Sequence, residues 1–196
     1  SVWWYASGVF TNAFFQRPHQ RAGAEASYGI PVLAAVAGFG TFLGGWLSDL
    51  LSARSNDRRW YMWVPGVATL LCVPFQFLAF LSTSLAVALP SFVGLMVMAA
   101  VFFGPSFAMT QALATLRMRS VATSLLLFIQ TLIGFGLGPS MTGFISDRLA
   151  PTYRTDSLRY ALVIIGVVNL WAAVHYMLGA RTLKQDLETT EKLATA

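Results

Sequence analysis

Charge is scarce in this chain. Of its 196 residues, 11% are charged, against about 25% in ordinary soluble domains. There is one cysteine, Cys72, and there are two histidines, His19 and His175. A lone cysteine excludes a disulfide framework or a cysteine-built metal cluster within the chain. H-E-x-x-H, G-x-S-x-G and P-loop patterns are all missing. Zinc hydrolysis, serine hydrolysis and direct ATP drive therefore have no visible players. The chain is expected to be no enzyme and to need no cofactor and no metal.

What the chain has instead is apolar length. Hydrophobic residues make up 56% of it. The charges fall in clusters, and between them lie stretches of about 20 apolar residues, enough to cross roughly 30 Å of hydrocarbon at 1.5 Å per residue. A soluble helix would keep a charged face, and these stretches have none. Six spans are expected, at about 1–16, 28–51, 60–81, 89–116, 121–145 and 158–178. Residues 1–180 form a transmembrane bundle, and 181–196, with Asp186, Glu188, Glu191 and Lys192, read as a solvated tail. The apolar start, SVWWYASGVF, has no basic signal-peptide region and suggests a fragment. Trp3, Trp4, Trp60, Trp63 and Tyr160 lie near span ends, where aromatic belts form.

The net charge of +5 reflects loops rather than nucleic-acid binding. With six spans, Arg54, Arg58, Arg59, Arg117, Arg119, Arg181, Lys184 and Lys192 share one side. Arg17, Arg21, Arg148, Arg154 and Arg159 share the other. The richer side is expected to be cytoplasmic, which places the C-terminus there.

Two segments match at a spacing of 98 residues. Gly38, Gly40, Gly45, Ser48 and Asp49 pair with Gly136, Gly138, Gly143, Ser146 and Asp147. Each copy sits on the middle helix of a three-helix unit. Three crossings are odd, so the copies end on opposite membrane faces, the pattern of inverted repeats in transporters. The expected fold is all-α, with six transmembrane helices in two inverted three-helix repeats.

Gly45-Trp46-Leu47-Ser48-Asp49, followed by Arg54, Arg58 and Arg59, resembles the loop signature of the major facilitator superfamily. Leu50 stands where that signature often has Arg, Ala53 lies near its usual Gly, and the loop is longer by a few residues. The stretch from Gly104-Pro105 through Gln111, the R-M-R at 117–119 and Gly134 to Pro139 looks like bacterial spinster-like members. FFQRPH before the second span fits them too. The resemblance implies the C-terminal half of a twelve-helix fold working by alternating access. It implies a monomer in the bacterial inner membrane, with an N-terminal six-helix half on the same polypeptide. Substrates of that branch are sphingoid or lysolipid-like molecules, and related branches carry organic anions. Proton coupling is usual there, with its acidic residues mostly in the other half. No span here has a mid-membrane carboxylate. The resemblance also implies a cytoplasmic gate in which Asp49 approaches the start of the fifth span near Ser120. Gly45 would allow close packing, and Arg54, Arg58, Arg59, Arg117 and Arg119 would complete the cluster. Gly143, Asp147 and Arg148 are the external counterpart.

Polar residues inside spans mark sites by default. Asn12 and Gln16 share one face of the first span. Gln111 and Thr115 lie on the fourth, Thr123 and Gln130 on the fifth. These faces either line a cavity for a small amphipathic substrate or join helices, since amides and small residues do both. Gln76 and Asn169 are read as packing, because the resemblance puts their helices at the periphery. Gly104-Pro105 and Gly138-Pro139 are expected to bend their helices. Lipids are the other expected partners. A channel is disfavoured, because no filter-like segment is present.

Overall fold

In the computed structural model the backbone is described for residues 1–19 and 23–195, and side chains for 1–10, 35–84 and 86–192. The described residues form eight α-helices and no strand. They are α1 (Val2–His19), α2 (Gly23–Ser55), α3 (Trp60–Leu81), α4 (Leu85–Ala100), α5 (Phe103–Ala112), α6 (Arg119–Tyr153), α7 (Ser157–Ile165) and α8 (Val167–Thr195). Three stretches among them are long and apolar enough to cross a membrane: Trp60–Leu81, Ala86–Ala112 and Leu116–Lys192. In such surroundings a helix is the natural solution, because it satisfies its backbone donors and acceptors internally.

The surface carries what a soluble protein hides. Phe42 and Trp171 are each 66% exposed and Leu132 60%. Large apolar areas open to water are costly, so these faces belong against lipid or another apolar surface. The chain is a membrane protein. Its interior is built from smaller residues around a few large ones, with Phe80, Leu95 and Leu162 fully buried between α3, α4 and α7.

Small residues set the closest helix contacts. On α2, Gly40, Gly44 and Ser48 form a buried stripe. A Cβ on Gly40 would overlap the Val97 carbonyl, and one on Gly44 the Val101 carbonyl. On α6, Gly134, Gly138, Thr142 and Ser146 are buried, and a Cβ on Gly138 would overlap the Val2 carbonyl. Such close backbone approach is how helices associate where lipid removes the hydrophobic drive. Gly40 and Gly138, and Ser48 and Ser146, are pairs of the 98-residue repeat. The helices that carry the two copies pack on α4 and α1: α2 on α4, and α6 on α1.

Two of the expected spans are broken. The fourth divides into α4 and α5 at Val101–Phe102. The Pro105 ring conflicts with the carbonyl four residues earlier, which is that of Val101. The break therefore lies one turn before Gly104-Pro105, and Pro105 occupies the first turn of α5, where an amide proton is not needed. At Gly138-Pro139, where a bend is expected, α6 runs on without a break in its helix. Gly138 serves the contact with α1 instead.

The sixth span divides at Gly166. Its N–H bonds the Val163 carbonyl at 3.2 Å. The buried Gln76 side chain crosses from α3, and its Nε2 donates to the carbonyls of Leu162 (3.0 Å) and Val163 (2.9 Å). A Cβ on Gly166 would fall on that amide. The segment 181–195 is helical, as the unbroken end of α8. It is not simply solvated, because Leu183 and Leu187 are buried against Met109, Tyr61 and Met62.

Helix α2 runs past Asp49 to Ser55 and stops at Asn56, whose φ is 53°. Asparagine is one of the few residues that adopts this conformation readily, and it ends helices there. Arg154, at the end of α6, also has a positive φ, 47°.

Candidate functional site

The signature loop lies between α2 and α3. Asp49 is exposed, and its carboxylate accepts a hydrogen bond from the Tyr61 hydroxyl. Tyr61 is in the first turn of α3, so the bond closes the two ends of the loop. Helix α2 packs chiefly on α4, α3 and α5. Arg117 and Arg119 are exposed where the chain passes from α5 into α6.

Arg59 is engaged by its own loop. Its guanidinium lies 2.7 Å from the Asp57 carboxylate and stacks 4.9 Å over the Trp63 ring. The Arg59 side-chain hydrogen bond, helped by the Arg59 backbone N–H, holds the Asp57 carboxyl below the usual carboxylate range. Arg58 and Arg59, with Lys184, Glu188 and Glu191 of α8, line a charged cleft of about 360 Å³. Arg54 is exposed at the end of α2.

Close packing by Gly45 also needs correction. The position of a Cβ on Gly45 is open, and the tight contact belongs to Gly44, one residue earlier. Gly45 takes part through its backbone, which a Cβ on Gly104 would approach at 3.2 Å.

At the opposite copy, Asp147 and Arg148 are exposed, and Arg148 lies over the Phe144 ring at 5.1 Å. A Cβ on Gly143 would have Phe10 at 4.0 Å, an ordinary contact. Ser146 and Ser157 share a buried hydrogen bond of 3.2 Å that ties α6 to α7.

The polar faces separate. Gln111 is exposed on α5, and Thr115 follows that helix, half-buried. Thr123 is half-buried near the start of α6, where its hydroxyl donates to the Arg119 carbonyl at 2.9 Å. Gln130 instead lines a cavity inside the bundle, of about 160 Å³, together with Trp3, Cys72, Asn169 and Tyr176. Gln130 and Asn169, assigned different roles from the sequence, thus meet at one place. Trp3 is 3% exposed and belongs to the core rather than an aromatic belt. The side chains of Asn12 and Gln16 lie outside the described residues. Tyr176 and Ser106 share a hydrogen bond of 2.9 Å between α8 and α5. This pairing, the Asp49–Tyr61 bond and the Gln76 crossing are long-range contacts with no motif to reveal them.

No protein-family model matches the chain. An MFS-type efflux pump of Mycolicibacterium smegmatis is 28% identical over 191 residues, covering 93% of this chain and 42% of the pump. The crystal structure of a bacterial homologue of the human lysosomal transporter Spinster, in an inward-facing and occupied conformation, superposes with a TM-score of 0.79. It is 30% identical, and the match covers 94% of this chain and 47% of that one. The chain spans a little under half the length of either relative. Over more than nine-tenths of its own length, this chain is similar in sequence to an MFS-type efflux pump and in structure to a bacterial Spinster homologue.

Proposed function

We propose that this chain is the C-terminal half of a secondary transporter that works by alternating access. One observation carries the reading: the chain matches two transporters over more than nine-tenths of itself and under half of them. The exposed apolar faces of α2 and α6, with Phe42, Trp46, Phe128 and Leu132, are suited to lipid and to a second six-helix half. In this reading the α4–α5 break and the inverted repeat let the halves rock about a central site. Gln111, exposed on α5, faces that site. The substrate is lipid-like or amphipathic, in keeping with apolar walls that hold amides but no carboxylate. Proton coupling then rests on the other half. The arginine-rich side is cytoplasmic, and Asp49 with its arginines meets the N-terminal half there.

The test is transport by the full-length protein in proteoliposomes under an imposed pH gradient, with a fluorescent lysophospholipid as substrate. Gradient-dependent movement, lost when the gradient is collapsed, supports the reading. Movement that ignores the gradient removes the coupling, and no movement of lysolipid or organic anions removes the function.

A further inference from the structure

The cavity inside the bundle presents two unused donors. Trp3 and Asn169 are 3% and 8% exposed. Both line the cavity, and neither the indole Nε1 nor the amide Nδ2 has a hydrogen-bond partner. Buried polar groups are nearly always paired, and leaving one unpaired costs more than an average hydrogen bond contributes. Two such donors at one cavity, from α1 and α8, point to something that accepts from both. We propose that this cavity binds the neutral oxygen-bearing end of a small amphipathic molecule, through a hydroxyl or ester oxygen that accepts from Trp3 and Asn169.

The lining argues for that chemistry. Gln130 adds an amide that both donates and accepts, while Trp4, Cys72, Ala99 and Phe102 supply apolar walls. No lysine, arginine or carboxylate side chain lines it. A full charge would lose its hydration there without a counter-charge, so a neutral acceptor fits better than an anion. The volume of about 160 Å³ is roughly that of five waters at liquid density. It suits a glyceryl or similar polar end and not a whole lipid. The site lies among α1, α3, α4, α6 and α8 of this half alone, so it does not depend on the transport reading.

Cys72, the single cysteine of the chain, lines the same cavity and serves as a reporter. The full-length protein in lipid nanodiscs is treated with hydroxyethyl methanethiosulfonate, a small neutral thiol reagent. Modification of Cys72 is followed by peptide mass spectrometry, with and without 1-monooleoylglycerol. The expected result is modification that monooleoylglycerol slows severalfold. Trp3→Phe and Asn169→Leu each remove one donor and keep an apolar filling. Each should weaken protection by about fivefold in monooleoylglycerol concentration, the worth of one hydrogen bond. Each variant should keep the parent's monodisperse size-exclusion profile and melting temperature to within a few degrees, which shows that it is folded. The proposal is overturned if Cys72 is never modified, if monooleoylglycerol gives no protection, or if both variants are protected like the parent. The last result would mean that water alone meets the two donors.

Discussion

The Gln76–Gly166 contact allows a quantitative test of how the break between α7 and α8 is held. Gly166→Ala places a Cβ on the Gln76 amide. The glutamine must move, which breaks its bonds to Leu162 and Val163. Hydrogen bonds between helices in membranes average about 0.6 kcal/mol and reach about 1.7, so two amount to roughly 1–3 kcal/mol. Overpacking adds about 1–3 kcal/mol, for a total of about 2–6. Gln76→Ala loses the same two bonds and leaves a cavity, at a cost of about 2–4 kcal/mol. In the double variant the alanine at 166 enters the space that Gln76 vacates, and the overpacking disappears. The double variant should thus be no less stable than Gln76→Ala by more than about 1 kcal/mol. The cycle should show coupling well above the roughly 0.3–0.5 kcal/mol seen for independent sites. Unfolding of the purified protein in mixed micelles by denaturing detergent measures all four corners. Additive costs would refute the account, because they would mean that the two residues do not share one space.

Four further outcomes concern other positions. Gly44→Ala should destabilise by about 1–3 kcal/mol through collision with the Val101 carbonyl. Gly45→Ala should be neutral or stabilising by up to about 1 kcal/mol, since its Cβ meets open space, and the same detergent titration compares them. Arg154→Gly should stabilise by about 1 kcal/mol, because φ is 47° there and glycine carries no steric penalty at positive φ; an unchanged melting temperature would count against strain at that residue. The hydrogen bond from the Arg59 side chain holds the Asp57 carboxyl below the ordinary carboxylate range, so this pairing helps stability above the unfolded pKa and is lost as pH falls through the lower folded value. The small stability difference between the parent and Asp57→Asn should hold steady from pH 5 to 8 and vanish on strong acidification.

The all-helical, apolar character was legible in the sequence, because lipid demands apolar length, and so was the small-residue packing at Gly40, Ser48 and the matching Gly138 and Ser146. The two helix breaks differed in legibility. Pro105 announces the one at Val101–Phe102, though its steric conflict falls four residues upstream. Gly166 announces nothing, since glycine is common in membrane helices and its role depends on a glutamine 90 residues away in sequence. The helical continuation of α8 was hidden because Leu183 and Leu187 are two apolar residues in a polar tract. Their spacing of four has meaning once Met109 is opposite. The same limit applied to the loop signature. It located Asp49, but the partner at Tyr61 follows from how α3 re-enters the bundle. Gly44 and Gly45 are indistinguishable in a string, and the structure separates them by the direction each Cβ would take.

The unbroken run of α8 also gives the bundle a lever arm. At 1.5 Å per residue, positions 181–195 project the helix axis by about 22 Å beyond the residues that precede them. Leu183 and Leu187 clamp the base of that arm to α5 and α3, the helices that flank the break at Val101–Phe102 and the loop after α2. A tilt of about 10° at the clamp would swing the far tip by about 2 Å over the roughly 12 Å that lie beyond Leu187. A fluorophore on the tip, paired with one on the loop at Ser55, would thus turn a sub-ångström rearrangement of the bundle into a measurable change in distance.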